Sequence, residues 1–360
     1  MAELLKNWFN KAFVQNIGSS IKSVKNDFND VEFIDRVIDK SWEKRELKER
    51  MRHISVGLND ALELPYDQAT EVLNKVVDQF EGLTAMVFPD FVEVYGLDHL
   101  ELSLDTLEYY TQFSSSEFAI RPFILRNTDE VMKRMHDWST HPNHHVRRLA
   151  SEGCRPRLPW AIALPEFKQD PSLILPILEN LKNDESEYVR KSVANNINDI
   201  SKDNPETAIK LVKSWYGHSK YTDWIIKHGM RGLLKKGHKA ALDLFGFNEN
   251  AKVNITKFDL SDGQVKMGQY VHFDFEMCHY EVKEVFLKVA YAIDYVKSNG
   301  KHSRKLFHIT EKKFTPALSY RFKKKVSFKD LTTRKHYPGP HILNIVINGK
   351  VIASKNFTLL

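Results

Sequence analysis

Two stretches, HPNHHVRRLASEG at 141–153 and NDESEYVRKSVANN at 183–196, read as copies of one unit. In both, polar helix-capping residues precede a Val-Arg step, and the two steps, Val146-Arg147 and Val189-Arg190, lie 43 residues apart. A fainter third copy, SKYTDWIIKHGMRGLLKKG, centres on Trp224 and Ile225, 35 residues further along. Helix pairs that recur at unequal periods of about 40 residues mark a HEAT-like solenoid, in which each unit buries its apolar face only by stacking on its neighbours. An irregular helical bundle is the alternative reading.

Outward from these copies, residues 1–245 read as helix after helix, separated by short Pro, Asn, Asp and Gly punctuations. From about Ala251 the period of the apolar residues falls from that of a helix to that of a strand. YVHFDFEM at 270–277 and HILNIVI at 341–347 alternate, 285–296 is rich in β-branched and aromatic residues, and Asn348-Gly349 supplies a hairpin turn. About seven short strands fit the remaining length, and YPGPHILNIVING resembles the Tyr-x-Gly corner of immunoglobulin-type sandwiches, with Tyr337 in the corner position. The expected fold class is multidomain: an all-α HEAT-like repeat solenoid over 1–247, followed by an all-β immunoglobulin-like sandwich over 251–360.

A chain of 360 residues is long enough for two cores. Its net charge of +6 hides an asymmetry, because residues 246–360 carry twenty Lys and Arg against ten Asp and Glu, which leaves about −4 for residues 1–245. A basic C-terminal segment suits a polyanion partner, although scattered lysines also serve solubility. The N-terminal MAELLKNWFNKAFVQNIGSS has no continuous apolar h-region, and no later run is long enough for a membrane span. The expectation is a cytoplasmic monomer with no membrane partner. Cys154 and Cys278 are far apart in sequence and give neither a disulfide framework nor a CxxC metal knuckle.

Chemistry concentrates in HHVRRLASEGCRPRLPW at 144–160, where four arginines surround one glutamate and the stretch closes on a tryptophan. On a helix starting near Asn143, Val146, Leu149, Ala150 and Gly153 face inward, and Arg148, Glu152 and Arg155 share another face. The plain reading is an exposed Arg148–Glu152 ion pair worth about a few tenths of a kcal/mol. Two more acidic residues are expected on neighbouring repeat helices: Glu117 in SSSEFAIRPF and Asp199 in VRKSVANNINDI. On the latter helix Val189, Val193, Ile197 and Ile200 point inward, while Lys191, Asn195 and Asp199 share a face. Taken singly each carboxylate is a solvated helix charge; stacking of repeats would bring all three into one concave cleft.

Trp160 follows Pro156 and Pro159, which should end the Glu152 helix and set the indole on a stiff turn, either as a core plug or as a face for a cationic base. Trp224, near Lys227, His228 and Arg231, admits packing with a backbone contact. His136, His141, His144 and His145 match no standard zinc spacing, so neither a metal nor another cofactor is expected. GLLKKG at 232–237 mimics the glycine spacing of a phosphate loop, but His238 and Lys239 stand where Lys and Ser or Thr are required. RFKKK at 321–325 and Arg334-Lys335-His336 are basic loops or strand faces, open to phosphate contact or to plain solvation.

RRLASEGCRPRLPWA, followed by DESEYVRKSVANNINDISKDNPE, resembles the AlkC family of alkylpurine DNA glycosylases, relatives of AlkD in the HEAT-like repeat class. The likeness runs from the N-terminal helices to about Phe247, and the C-terminal segment resembles the immunoglobulin-like domain of one branch of that family. The resemblance implies excision of positively charged methylated bases, chiefly 3-methyladenine and also 3-methylcytosine, from duplex DNA in base excision repair, without flipping the base. It carries Glu117, Glu152 and Asp199 over as active-site carboxylates and Trp160 as an aromatic wall.

The chemistry is coherent with those residues. Alkylation at N3 makes the base a ready leaving group, so carboxylates beside the sugar need only stabilise an oxocarbenium-like transition state and orient water. Glu152 is expected to be the chief catalyst, Asp199 the next, and Glu117 to shape the cleft. Arg147, Arg148, Arg155, Arg157, Arg190, Lys191 and Asn195, with Lys227 and His228 beside Trp224, are the candidates for gripping DNA. The rival is a non-catalytic HEAT-repeat adaptor that binds DNA or an acidic protein, on which clustered carboxylates would only repel phosphates. A phosphatase or nuclease lacks the metal-ligand spacing it would need.

Overall fold

The computed structural model describes residues 4–247, 251–330 and 335–360. The chain divides into two compact units, Met1–Gly229 and Met230–Leu360. The first is helical. Its later part is built from antiparallel pairs: Thr128–Trp138 with His144–Gly153, Leu175–Leu181 with Glu187–Asp203, and Pro205–Trp215 with Lys220–Gly229. The second members of the pairs pack on one another, with Glu187–Asp203 between His144–Gly153 and Lys220–Gly229. This is the HEAT-like stacking that the repeated Val-Arg steps predict.

Packing follows the apolar pattern. Val146, Leu149, Val189, Val193, Ile197 and Ile225 are fully buried, each contributing about 1.5–3 kcal/mol by leaving water. Gly229 permits the close approach of the last pair, since a Cβ there would come within 2.8 Å of Ile197 Cγ2. Asn143 caps the His144–Gly153 helix by accepting from the His145 N–H at 2.8 Å. Trp138 and Trp215 each donate their indole N–H to a glutamate, Glu108 at 2.5 Å and Glu179 at 2.6 Å, another contact that recurs.

The unit boundary falls after Gly229, ahead of the change in periodicity. The short helices Arg231–Lys236 and Lys239–Leu244 belong with the strands. Gly237, at φ 72°, ends the first of them in the left-handed conformation, and a Cβ there would meet Gly349 Cα at 2.8 Å. Phe247 stacks on Phe286 with centroids 4.9 Å apart. Gly237, the second glycine of GLLKKG, therefore serves a helix end and a close contact rather than a phosphate.

The strands are β1 (Val253–Leu260), β2 (Gln264–Val265), β3 (Tyr270–His279), β4 (Val285–Val296), β5 (His302–Phe314), β6 (Tyr320–Ser327), β7 (Gly339–Ile347) and β8 (Lys350–Leu359). They form two sheets, β1-β3-β6 and β2-β8-β7-β4-β5, around a core that includes Phe275, Leu287, Ile293, Phe314, Phe328 and Ile345. Asn348 and Gly349 hold φ of 46° and 80° and close the β7–β8 hairpin, as the primed turns do. Tyr337 is half-buried, and the rings packed at this corner are Tyr295, Phe328, His336 and His341. RFKKK lies on β6, an edge strand, where Arg321 pairs with Asp274 and Lys325 covers the Tyr270 ring at 4.8 Å. Lysines on an exposed edge also deter strand addition. Arg334 lies outside the described residues. Among the described residues no helix is long and apolar enough to cross a membrane.

Candidate active site

The three carboxylates singled out from sequence meet in one ion-pair ladder with two arginines interleaved. Glu117 pairs with Arg148, whose Nη2 lies 3.6 Å from Glu152 Oε1. Arg155 then donates Nη1 to Glu152 Oε1 at 2.6 Å and Nε to Asp199 Oδ2 at 2.9 Å. Lys202 closes the series at Asp199 Oδ1, 2.8 Å away. Helical spacing explains the order: Arg148, Glu152 and Arg155 are on one face of the chain at the end of the His144–Gly153 helix, and Asp199 comes from the neighbouring helix stacked against it. The exposed Arg148–Glu152 pair of the plain reading is thus a buried network. Glu152 is 5% exposed and Asp199 1%.

Glu117 belongs to the turn before the helix Ile120–Arg126 and not to the helix itself. Pro122 accounts for this, because a proline is tolerated only in the first turn and so fixes the helix start close before it. The Ser115 hydroxyl orients the carboxylate by donating to Glu117 Oε2 at 2.8 Å. Burial works against the charges on Arg148 and Arg155. Glu117 and Glu152 outweigh it for Arg148, and Glu152 and Asp199 for Arg155, so both pKa values are raised. The two guanidiniums stay charged, and their planes lock the carboxylate rotamers.

The oxygens differ in what they touch. Asp199 has one cation on each oxygen, whereas both arginines reach the same oxygen of Glu152, Oε1, and neither takes Oε2. Tyr188, missed by the sequence reading, backs Arg148 with its ring centroid 4.8 Å from the guanidinium carbon. Beside Glu117 opens a cavity of about 730 Å³ lined by Trp8, Phe80, Phe113, Ser115, His145 and Tyr188, within the about 300–1,000 Å³ range of small-molecule sites. Cys154 is no nucleophile, since burial pushes its thiol up to about 12.

The loop after Glu152 carries Trp160, which is 66% exposed at φ 64° and hence not a core plug. A left-handed bulky residue costs about 1–3 kcal/mol and persists only where its surroundings enforce it. Trp224 is also partly exposed and stacks on His228 with centroids 5.1 Å apart. Arg157 pairs bidentately with Asp203 at the surface, Lys191 is exposed beside Glu187 at 2.7 Å, Lys227 is exposed, and Asn195 is half-buried.

Besides Arg148 and Arg155, which the ladder engages, two further arginines expected on phosphates are committed to the protein itself. Arg147 Nη1 donates to the carbonyls of His141 and Pro142, and Arg190 Nη1 to those of Asp184 and Glu185, so each Val-Arg step ties down its own preceding turn in the same way. Arg147 also reaches Asp184 of the next pair at 2.6 Å, and Arg190 lies 4.1 Å over the Tyr221 ring. Arg147→Ala should therefore cost about 1.5–3 kcal/mol of stability in thermal unfolding. The salt dependence of DNA binding should not change; a flatter slope would return Arg147 to the phosphates. Among the described residues no group of three or more His, Cys, Asp or Glu side chains could hold a metal ion.

Comparison with known proteins places this architecture in a class. Residues 102–233 match the family described as DNA alkylation repair enzyme, and residues 254–360 that of the C-terminal Ig-like domain of YhaZ. The chain is thus a helical-repeat protein of the DNA alkylation repair class with an immunoglobulin-like second domain. It is 44% identical over 353 residues, 98% of either chain, to the uncharacterized protein YhaZ of Bacillus subtilis (strain 168). It is also similar to the Pseudomonas fluorescens alkylpurine DNA glycosylase AlkC bound to DNA containing an abasic site analog, at 36% identity and a TM-score of 0.96 over 99% of this chain and 100% of that one. The chain belongs to the family of AlkC and YhaZ.

Proposed function

We propose that the chain is a monofunctional DNA glycosylase that hydrolyses the N-glycosidic bond of cationic alkylated bases in duplex DNA, 3-methyladenine foremost and 3-methylcytosine second. It acts in the cytoplasm, as a monomer, on DNA whose lesion stays unflipped. The observation that carries the reading is the ladder, in which a buried glutamate keeps one oxygen clear of its arginines. A DNA-binding surface alone has no use for three carboxylates held together at that cost.

Bond cleavage places positive charge on the sugar. Glu152 Oε2 stabilises that charge and accepts a proton from the attacking water, whose oxygen bonds to C1′ as the neutral base departs with the bonding pair. No lysine is needed to form a Schiff base. Asp199, with both oxygens engaged, acts through Arg155 on Glu152, and Glu117 acts through Arg148. The exposed indole of Trp160 offers a face to the cationic base. Arg157, Lys191, Asn195, Lys227, His228 and the basic strands approach phosphates, while Arg148 and Arg155 add positive charge beneath them. The reaction so written calls on no cofactor. The AlkC relative, bound to DNA with an abasic site analog, supports the choice of DNA as partner.

Incubating the purified protein with methylated duplex DNA and identifying the freed bases by mass spectrometry tests this. Release of 3-methyladenine is expected. DNA binding with no base released would favour the non-catalytic adaptor.

A further inference from the structure

The Trp160 loop is tethered by two cations outside the ladder. Arg121 is fully buried, and no carboxylate among the described residues pairs with it. Its Nε donates to the Ile162 carbonyl at 2.6 Å, and its Nη1 to the carbonyls of Gly153 and Arg155 at 2.7 and 2.8 Å. One guanidinium thus joins the end of the Glu152 helix to the far side of Trp160. Burial pushes its pKa down to about 10, which reflects what this anchor costs. Trp160 itself is held by Lys48, from the helix Leu47–Leu62, whose Nζ donates to the Trp160 carbonyl at 2.9 Å. The same ammonium lies 4.6 Å from the centroid of the Phe118 ring, next in sequence to Glu117.

We propose that Lys48 is a positioning residue for base excision: it holds the left-handed Trp160 in the one backbone geometry that sets the indole against the damaged base, on a loop that Arg121 anchors. The inference rests on the reading of Trp160 as the stacking face. A non-glycine residue leaves the left-handed region readily when nothing restrains it. The Lys48 bond to the carbonyl restrains that peptide directly, and the Phe118 ring ties the ammonium to the turn that carries Glu117. Indole and carboxylates are thereby referred to a common point. Misplacing a group that aligns the substrate by about 1 Å can cost about a hundredfold in rate.

The test is a double-mutant cycle on the full chain, with single-turnover release of 3-methyladenine from methylated duplex as the readout. Lys48→Met should slow release about ten- to a hundredfold. Melting temperature should hold, and Lys48→Arg, which keeps a donor to the carbonyl, should recover most of the rate. In a Trp160→Ala background Lys48→Met should add nothing, because the group it positions is gone. Multiplying losses in the double variant would overturn the inference. So would a salt slope of DNA binding reduced by about one, which would make Lys48 a phosphate contact. Lys48→Met with the rate of an active wild type overturns it alone, whereas a wild type that releases no base sinks the glycosylase reading and this inference with it.

Discussion

Glu152→Gln should slow the release of alkylated base by at least about a hundredfold while leaving DNA binding nearly intact. The amide oxygen of glutamine can still accept the bond that Arg155 Nη1 makes at 2.6 Å, so the ladder keeps its shape. What disappears is the charge, together with the acceptor at Oε2. An amide nitrogen there donates, and can neither take a proton from water nor offset a cationic sugar. Three carboxylates face three cations along the ladder, so losing one leaves a net positive site, which phosphates favour. Binding to DNA with an abasic site analog should hold or tighten as excision fails. Single-turnover base release and titration of labelled duplex measure the two separately. Unchanged release would remove Glu152 from the mechanism.

Much of this was legible in the sequence, and the remainder was hidden for identifiable reasons. The Val-Arg steps located the stacked helices because a solenoid repeats its buried positions, and a switch of period marks a switch of element. The same face rule brought Arg148, Glu152 and Arg155 together. The destinations of charged groups were not legible. Arg147 and Arg190 look like phosphate ligands on paper, yet their partners are turn carbonyls and Asp184, which only the stacked fold places within reach. Glu117 follows the helical pattern of its segment but lies in a turn, because Pro122 fixes the start of the Ile120–Arg126 helix behind it. Arg121 carried the one signal of its kind in this segment, a charge inside the apolar run FAIRPFIL that marks a buried cation with a specific task. Lys48, more than a hundred residues from Trp160 in sequence, carried no signal at all.

Asp199→Asn should lower both rate and stability. Asp199 is almost fully buried and accepts from Arg155 and Lys202 on opposite oxygens. Removing its charge leaves Arg155 in a low-dielectric site facing only Glu152, and breaking a buried pair in this way costs about 3–5 kcal/mol. For a unit of this size that corresponds to a melting temperature lower by about 6–20 °C. Excision should fall as well, because an Arg155 freed on one side pulls harder on Glu152 and turns its carboxylate. Adding Arg155→Met to Asp199→Asn should restore part of the lost stability, since the penalty is that of an unmatched buried charge and not of a missing contact. Base release should stay low in the double variant, where Glu152 has lost the guanidinium that held its Oε1. A folded Asp199→Asn protein with an unchanged melting temperature and no base release would make Asp199 a direct participant at the sugar. A melting temperature lowered as expected with release unchanged would confine Asp199 to the fold.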